Sequence, residues 1–132
     1  MPARATYDYA VIRVVPRVER GEFINAGVLV SCPGAKLLAC GIDLDEQRLR
    51  ALDPSADVDA IRMHLASIER ICLGGPGSGP IGELPVRSRF HWLTAPRSSI
   101  IQMSPVHTGR TENAAGIIEH LLSKMVRVPA GS

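Results

Sequence analysis

Two polar segments of this chain hold the residue types best suited to chemistry. The first runs from Arg13 to Gly27 and places five charged residues between positions 13 and 22. Arg13, Arg17 and Arg20 lie within one short stretch, and paired guanidinium N–H groups grip phosphate or carboxylate well. Arg13 has a second reading. It interrupts an apolar strand face, and a half-buried charge needs a partner, which Glu22 or Asn25 can supply across a hairpin. Such an internal pair would fix strand register without any ligand. The sequence leaves both readings open.

The second segment, residues 84–111, contains no Asp or Glu and carries Arg87, Arg89, Arg97, Arg110, His91 and His107. Phe90 and Trp92 are interleaved with these cations, a pattern that binders of phosphate or single-stranded nucleic acid show. The same two aromatics are nearly the only large ones available to the core, which favours their burial. Pro96-Arg97-Ser98-Ser99 and His107-Thr108-Gly109-Arg110-Thr111 read as polar turns at the ends of a strand. The second turn opens the last predicted helix, where free backbone N–H groups favour an anion. The candidate ligand-binding set is therefore Arg13, Arg17, Arg20, Glu22, Asn25, Arg97, Ser98, His107 and Arg110. The two segments are expected to meet on one basic concavity.

No catalytic signature accompanies these residues. His64, His91, His107 and His120 are scattered, without the i, i+4 pair and acid of a helical metal site. Cys32, Cys40 and Cys72 have no metal-ligand spacing, and Cys32 and Cys72 fall on apolar faces. The run Gly74 to Pro80 lacks the lysine of a phosphate-binding loop. No cofactor or metal is expected, and whether the chain is an enzyme stays open.

Composition narrows the class further. A length of 132 residues, 45% hydrophobic and 21% charged, fits one globular domain spanning 1–132. The formal charge of +2 is too small to argue for nucleic acid by itself. Thirteen of the fifteen cations are Arg, a skew that codon usage also produces. An odd cysteine count, no leader and no apolar run of membrane length point to a cytoplasmic protein without a membrane anchor.

The elements that must position the two segments follow from periodicity. Residues 7–16 form a strand apolar on both faces: Tyr7, Tyr9, Val11 and Val15 on one, Ala10, Ile12 and Val14 on the other. A second strand spans about 22–32, with Gly27 marking a bulge or close backbone approach, and a third spans 37–42. Helices are predicted over 45–52 and 58–73, the latter capped by Asp57 and buried through Val58, Ile61, Leu65, Ile68 and Cys72. Residues 74–80 form a flexible internal loop, and 85–94 a further short helix. A fourth strand is expected over 98–106, and a final helix from the cap Thr111 to about 127. The order β-β-β-α-α-α-β-α predicts an α+β fold, a mostly antiparallel sheet of about four strands with helices packed on it.

Tyr7-Asp-Tyr-Ala-Val-Ile-Arg-Val-Val-Pro and Arg20-Gly-Glu-Phe-Ile-Asn-Ala-Gly-Val resemble the bacterial family called domain of unknown function 3037. So do Gly79-Pro-Ile-Gly, Arg89-Phe-His-Trp-Leu, Ala95-Pro-Arg-Ser-Ser-Ile-Ile-Gln and Ser104-Pro-Val-His-Thr-Gly, so the resemblance spans about residues 5–127. It implies a stand-alone cytoplasmic protein and brings no activity, cofactor or catalytic residue. It also implies partners that resemble serine/threonine-type kinases. Function is thus expected to be that of a non-catalytic accessory module for a protein partner. The alternatives are a phosphate-ligand or nucleic-acid binder or enzyme, and a homo-oligomer joined at the Gly/Pro loop and sheet edge.

Overall fold

The first strand is central because neither of its faces tolerates water. In the computed structural model, which describes residues 5–97 and 99–129, β1 spans Ala5–Val14 and buries Tyr7 and Val11 on one face and Ala10, Ile12 and Val14 on the other. β2 (Ile24–Cys32) pairs with it antiparallel, and β3 (Leu37–Ile42) pairs with β2. The far edge of β1 is shared by β4 (Ile101–Met103) and β5 (His107–Thr111), both antiparallel to it. The expected antiparallel meander and α+β class hold, with a fifth strand added.

Register slips by one residue where Ile12 opposes Gly27 but Arg13 opposes Asn25, leaving Ala26 as a bulge. A Cβ on Gly27 would lie 2.5 Å from the Gly41 carbonyl oxygen of β3. The close backbone approach read from that glycine is therefore real.

Helices α1 (Glu46–Leu52) and α2 (Val58–Leu73) begin at Asp45 and Asp57, whose carboxylates accept from the Arg48 and Ala60 amides at 3.1 Å. The expected α2 stripe is buried against Ile12 and Leu29 on one sheet face. Gly74, at φ +67°, ends α2. The single turn α3 (Gly79–Gly82) and helix α4 (Val86–Thr94) follow, and α4 buries Phe90 and Leu93 in the same layer. On the opposite face, α5 (Ile117–Leu121) and a wider turn over Leu122–Val126 cover Tyr7, Val28, Val30 and Cys32. The apolar pairs 117/118, 121/122 and 125/126 recur every four residues, more than the 3.6 of an α-helix. Closing the last turn from the Arg127 amide to the Leu122 carbonyl keeps Met125 and Val126 on the sheet.

Three expectations are corrected. The strand placed over 98–106 is regular only at 101–103, and Ser98 lies outside the described residues. Residues 107–111 form β5, paired with β1, rather than a turn opening a helix, so no helix begins at them to favour an anion. The cap is Asn113, whose side chain accepts from the Gly116 amide at 3.2 Å. Among the described residues no helix is long and apolar enough to cross a membrane.

Candidate functional site

Helix α2 buries one stripe, and the neighbouring row His64, Ser67 and Ile71 turns toward α4 and the edge strand β4. Pro96 stops α4 and carries the chain away, so the end of α4 does not close onto α2. A cleft of about 170 Å³ remains between them. Its floor is apolar, made by Ile68, Leu93, Ile101 and Met103, and its rim is polar, with His64, Ser67 and Arg97. Trp92 forms one wall. It was expected in the core, but a helix turn that buries Phe90 and Leu93 directs residue 92 outward, and the indole is 40% exposed. The Arg97 guanidinium lies 4.0 Å over the indole ring and donates to the Trp92 carbonyl. The arrangement can take an apolar or aromatic group and present polar donors around it.

Ser98 lies outside the described residues, and the other eight residues picked from the sequence divide among four places. Arg13 and Asn25 are ladder neighbours on the sheet face that α5 partly covers. Asn25 Nδ2 donates to the Met125 carbonyl at 2.9 Å, and the Arg13 guanidinium lies 4.3 Å over the Phe23 ring. Arg13 Nε and Asn25 Oδ1 are buried without a hydrogen-bond partner among the described residues. His107 stands further along this face, its ring 5.4 Å from that of Tyr9.

Arg17, Arg20 and Glu22 border a separate polar hollow of about 280 Å³ with Asp53. Glu22 pairs with Arg20 and so does not serve Arg13. Asp53 is buried and accepts from the Ser55 hydroxyl (2.8 Å), the Ser55 amide (3.0 Å) and Arg17 (3.5 Å). The Ser55 hydrogen bonds, with Arg17 behind them, hold its carboxyl below the usual range. Arg97 belongs to the α2–α4 cleft. Arg110 opposes Thr6 and borders a third hollow with Tyr7 and His120. Arg13 opposes Gln102 of the second segment, but Thr6 and Arg13 are seven residues apart on one strand, roughly 23 Å, so β1 touches both polar segments and holds Arg13 and Arg110 apart.

Sequence reasoning passed over Met63 and Ser67, and weighed His64 and Arg89 without placing them in the candidate set. Their signal was positional: each flanks a buried stripe at a helix spacing, which only the partner helix turns into a wall or a buried cation. The chain belongs to the bacterial family DUF3037, described as a protein of unknown function, whose profile matches residues 9–126. No curated protein and no solved structure matches it.

Proposed function

We propose that this member of the DUF3037 family is a cytoplasmic binding module, and that its α2–α4 cleft receives one apolar side chain of a protein partner. The observation that carries this reading is the exposed Trp92–Arg97 pair at the mouth of an apolar cleft. Trp and Arg dominate the energetic centres of protein interfaces, where they line pockets for a partner's anchor. The size of the cleft supports a side chain over a larger ligand. Small-molecule sites run to about 300–1,000 Å³, whereas about 170 Å³ suits a single side chain. Met63, 72% exposed on the outer face of α2, extends the apolar surface past His64 and Ser67. Free thiols at Cys32, Cys40 and Cys72 support a reducing compartment.

The phosphate or nucleic-acid alternative has less support, because Arg17 and Arg20 already have carboxylate partners in Asp53 and Glu22. The test is capture of the tagged full chain from its host, with a kinase-like protein as the first partner sought. Wild type should retain a stoichiometric partner, and Trp92→Ala should lose it by at least tenfold while keeping its far-UV dichroism. Retention of the same partner by Trp92→Ala, or elution of the wild-type chain alone or only as a homo-oligomer, overturns the reading.

A further inference from the structure

The rim of the α2–α4 cleft is rich in donors and cations. The Arg97 guanidinium covers one face of the Trp92 ring at 4.0 Å, and its hydrogen bond goes to the Trp92 carbonyl. Arg70 donates to the Ser67 hydroxyl oxygen at 2.9 Å, and that hydroxyl gives its proton to the Met63 carbonyl at 3.2 Å. Ser67 and His64 line both the cleft and an open hollow of about 360 Å³ beside it on α2. The Arg70–Ser67 contact therefore sets a second guanidinium where the two spaces join. Each guanidinium has five N–H donors and no acceptor, so most of the donors of Arg70 and Arg97 face outward unused.

No acid of the chain answers them. Among the described residues, no ion pair engages Arg70 or Arg97. Helix α4 and strand β4, which wall the cleft, come from the stretch 84–111 that contains no Asp or Glu. The two acids of α2, Asp59 and Glu69, line neither the cleft nor the hollow. By contrast Arg62, on the same helix, pairs with Glu46 at 3.3 Å.

We propose that the partner segment received by this cleft is an acidic peptide, with Asp or Glu directly beside its apolar anchor. This rests on the reading of the cleft as a docking site and adds the charge of what docks there. The anchor sits on the apolar floor, and carboxylates flanking it take the free N–H groups of Arg97 and Arg70. Such pairs are charge-assisted and directional, and they reject a basic segment by like-charge contact. A nucleic-acid strand fits less well. Arg97 covers one of the two indole faces on which a base would stack. Two arginines and a histidine also make no track along a phosphate backbone.

Selection of a displayed random dodecapeptide library on the full chain, with Trp92→Ala as counter-target, tests the proposal. Recovered peptides should share an apolar residue with Asp or Glu within three positions, and should not bind Trp92→Ala. A recovered peptide labelled with fluorescein should bind about tenfold more tightly than its Asn/Gln counterpart. That advantage should shrink severalfold in about 0.5 M sodium chloride. In Arg70→Gln/Arg97→Gln, checked for folding by far-UV dichroism, it should fall below threefold. Should the double variant fail to fold, Arg70→Gln alone, at an exposed helix position, and the salt dependence decide. Peptides that need Trp92 but carry no acids, or an acidic advantage that survives the substitutions, overturn this proposal and leave the docking reading standing. Peptides that bind Trp92→Ala equally, recovery of no peptide, or a Trp92-dependent oligothymidylate complex overturn both.

Discussion

Among the described residues the guanidinium of Arg89 has only backbone oxygens for partners: Ile71, Cys72 and Leu84. Two of these are carbonyls from the last turn of α2, which no amide of the same helix can satisfy. The residue therefore acts as a C-terminal cap supplied from another helix. It also explains the tight corner at Gly74, where a Cβ would meet Arg89 Nη1 at 2.6 Å. Arg89→Met fills similar space but leaves buried carbonyls unpaired, so a loss of about 3 kcal/mol in urea unfolding is expected. Arg89→Lys should recover less than half of that, because one ammonium cannot reproduce a planar fork reaching three oxygens. A neutral Arg89→Met would remove the capping role. In the sequence Arg89 was one cation among four in an acid-free stretch, and nothing local distinguished it from Arg87, which pairs with Asp8 at the surface. Its neighbours come from residues 5 and 17–18 positions away, and composition does not carry such proximity.

Elements with an apolar period were legible in the sequence, and elements held by backbone pairing alone were not. Helix α2 follows from five apolar residues at spacings of three and four with an Asp in front. Strand β5, by contrast, reads His-Thr-Gly-Arg-Thr, with mostly exposed side chains, and is a strand only because the free edge of β1 pairs with it. The break between β4 and β5 shows how that edge is kept satisfied. Ser104 is 4% exposed; its amide donates to the Val11 carbonyl at 2.9 Å, and its hydroxyl accepts from the Val11 amide at 2.8 Å. The same hydroxyl donates to the Pro105 carbonyl at 2.9 Å. A side chain thus supplies the acceptor that a continuous strand would offer from its backbone. Ser104→Ala leaves the Val11 N–H buried and unpaired, at an expected cost of about 1–3 kcal/mol. Hydrogen exchange should show the Val11 amide losing protection while those of β2 and β3 keep theirs. Unchanged protection at Val11 would refute the role given to Ser104.

At the scale of the whole molecule, one sheet separates two apolar layers. Ile12, Leu29 and Phe90 lie with α1, α2 and α4, and Val28, Val30 and Cys32 lie with α5 and the turn after it. Strands β1 and β2 contribute alternate residues to both layers, so neither layer keeps its shape if the other is lost. The arrangement also accounts for what the sequence could say about a site. Alternation along β1 predicted that Arg13 shares a face with Tyr9, and the structure agrees. Where each helix leaves a gap depends on crossing positions that no periodicity records, so the α2–α4 cleft stayed hidden. Because the sheet is common to both layers, 1–132 should unfold in one transition despite the Gly/Pro run after α2. Trp92, the single tryptophan, reports only the α2–α4 side. Val30→Ala, fully buried on the other side, removes two methyl groups and should cost about 2 kcal/mol. If the layers are coupled, it shifts the urea midpoint of Trp92 fluorescence as far as it shifts that of far-UV dichroism. A fluorescence midpoint that stays in place while the dichroism midpoint moves would mean that the layers unfold independently and that the chain is not one cooperative unit.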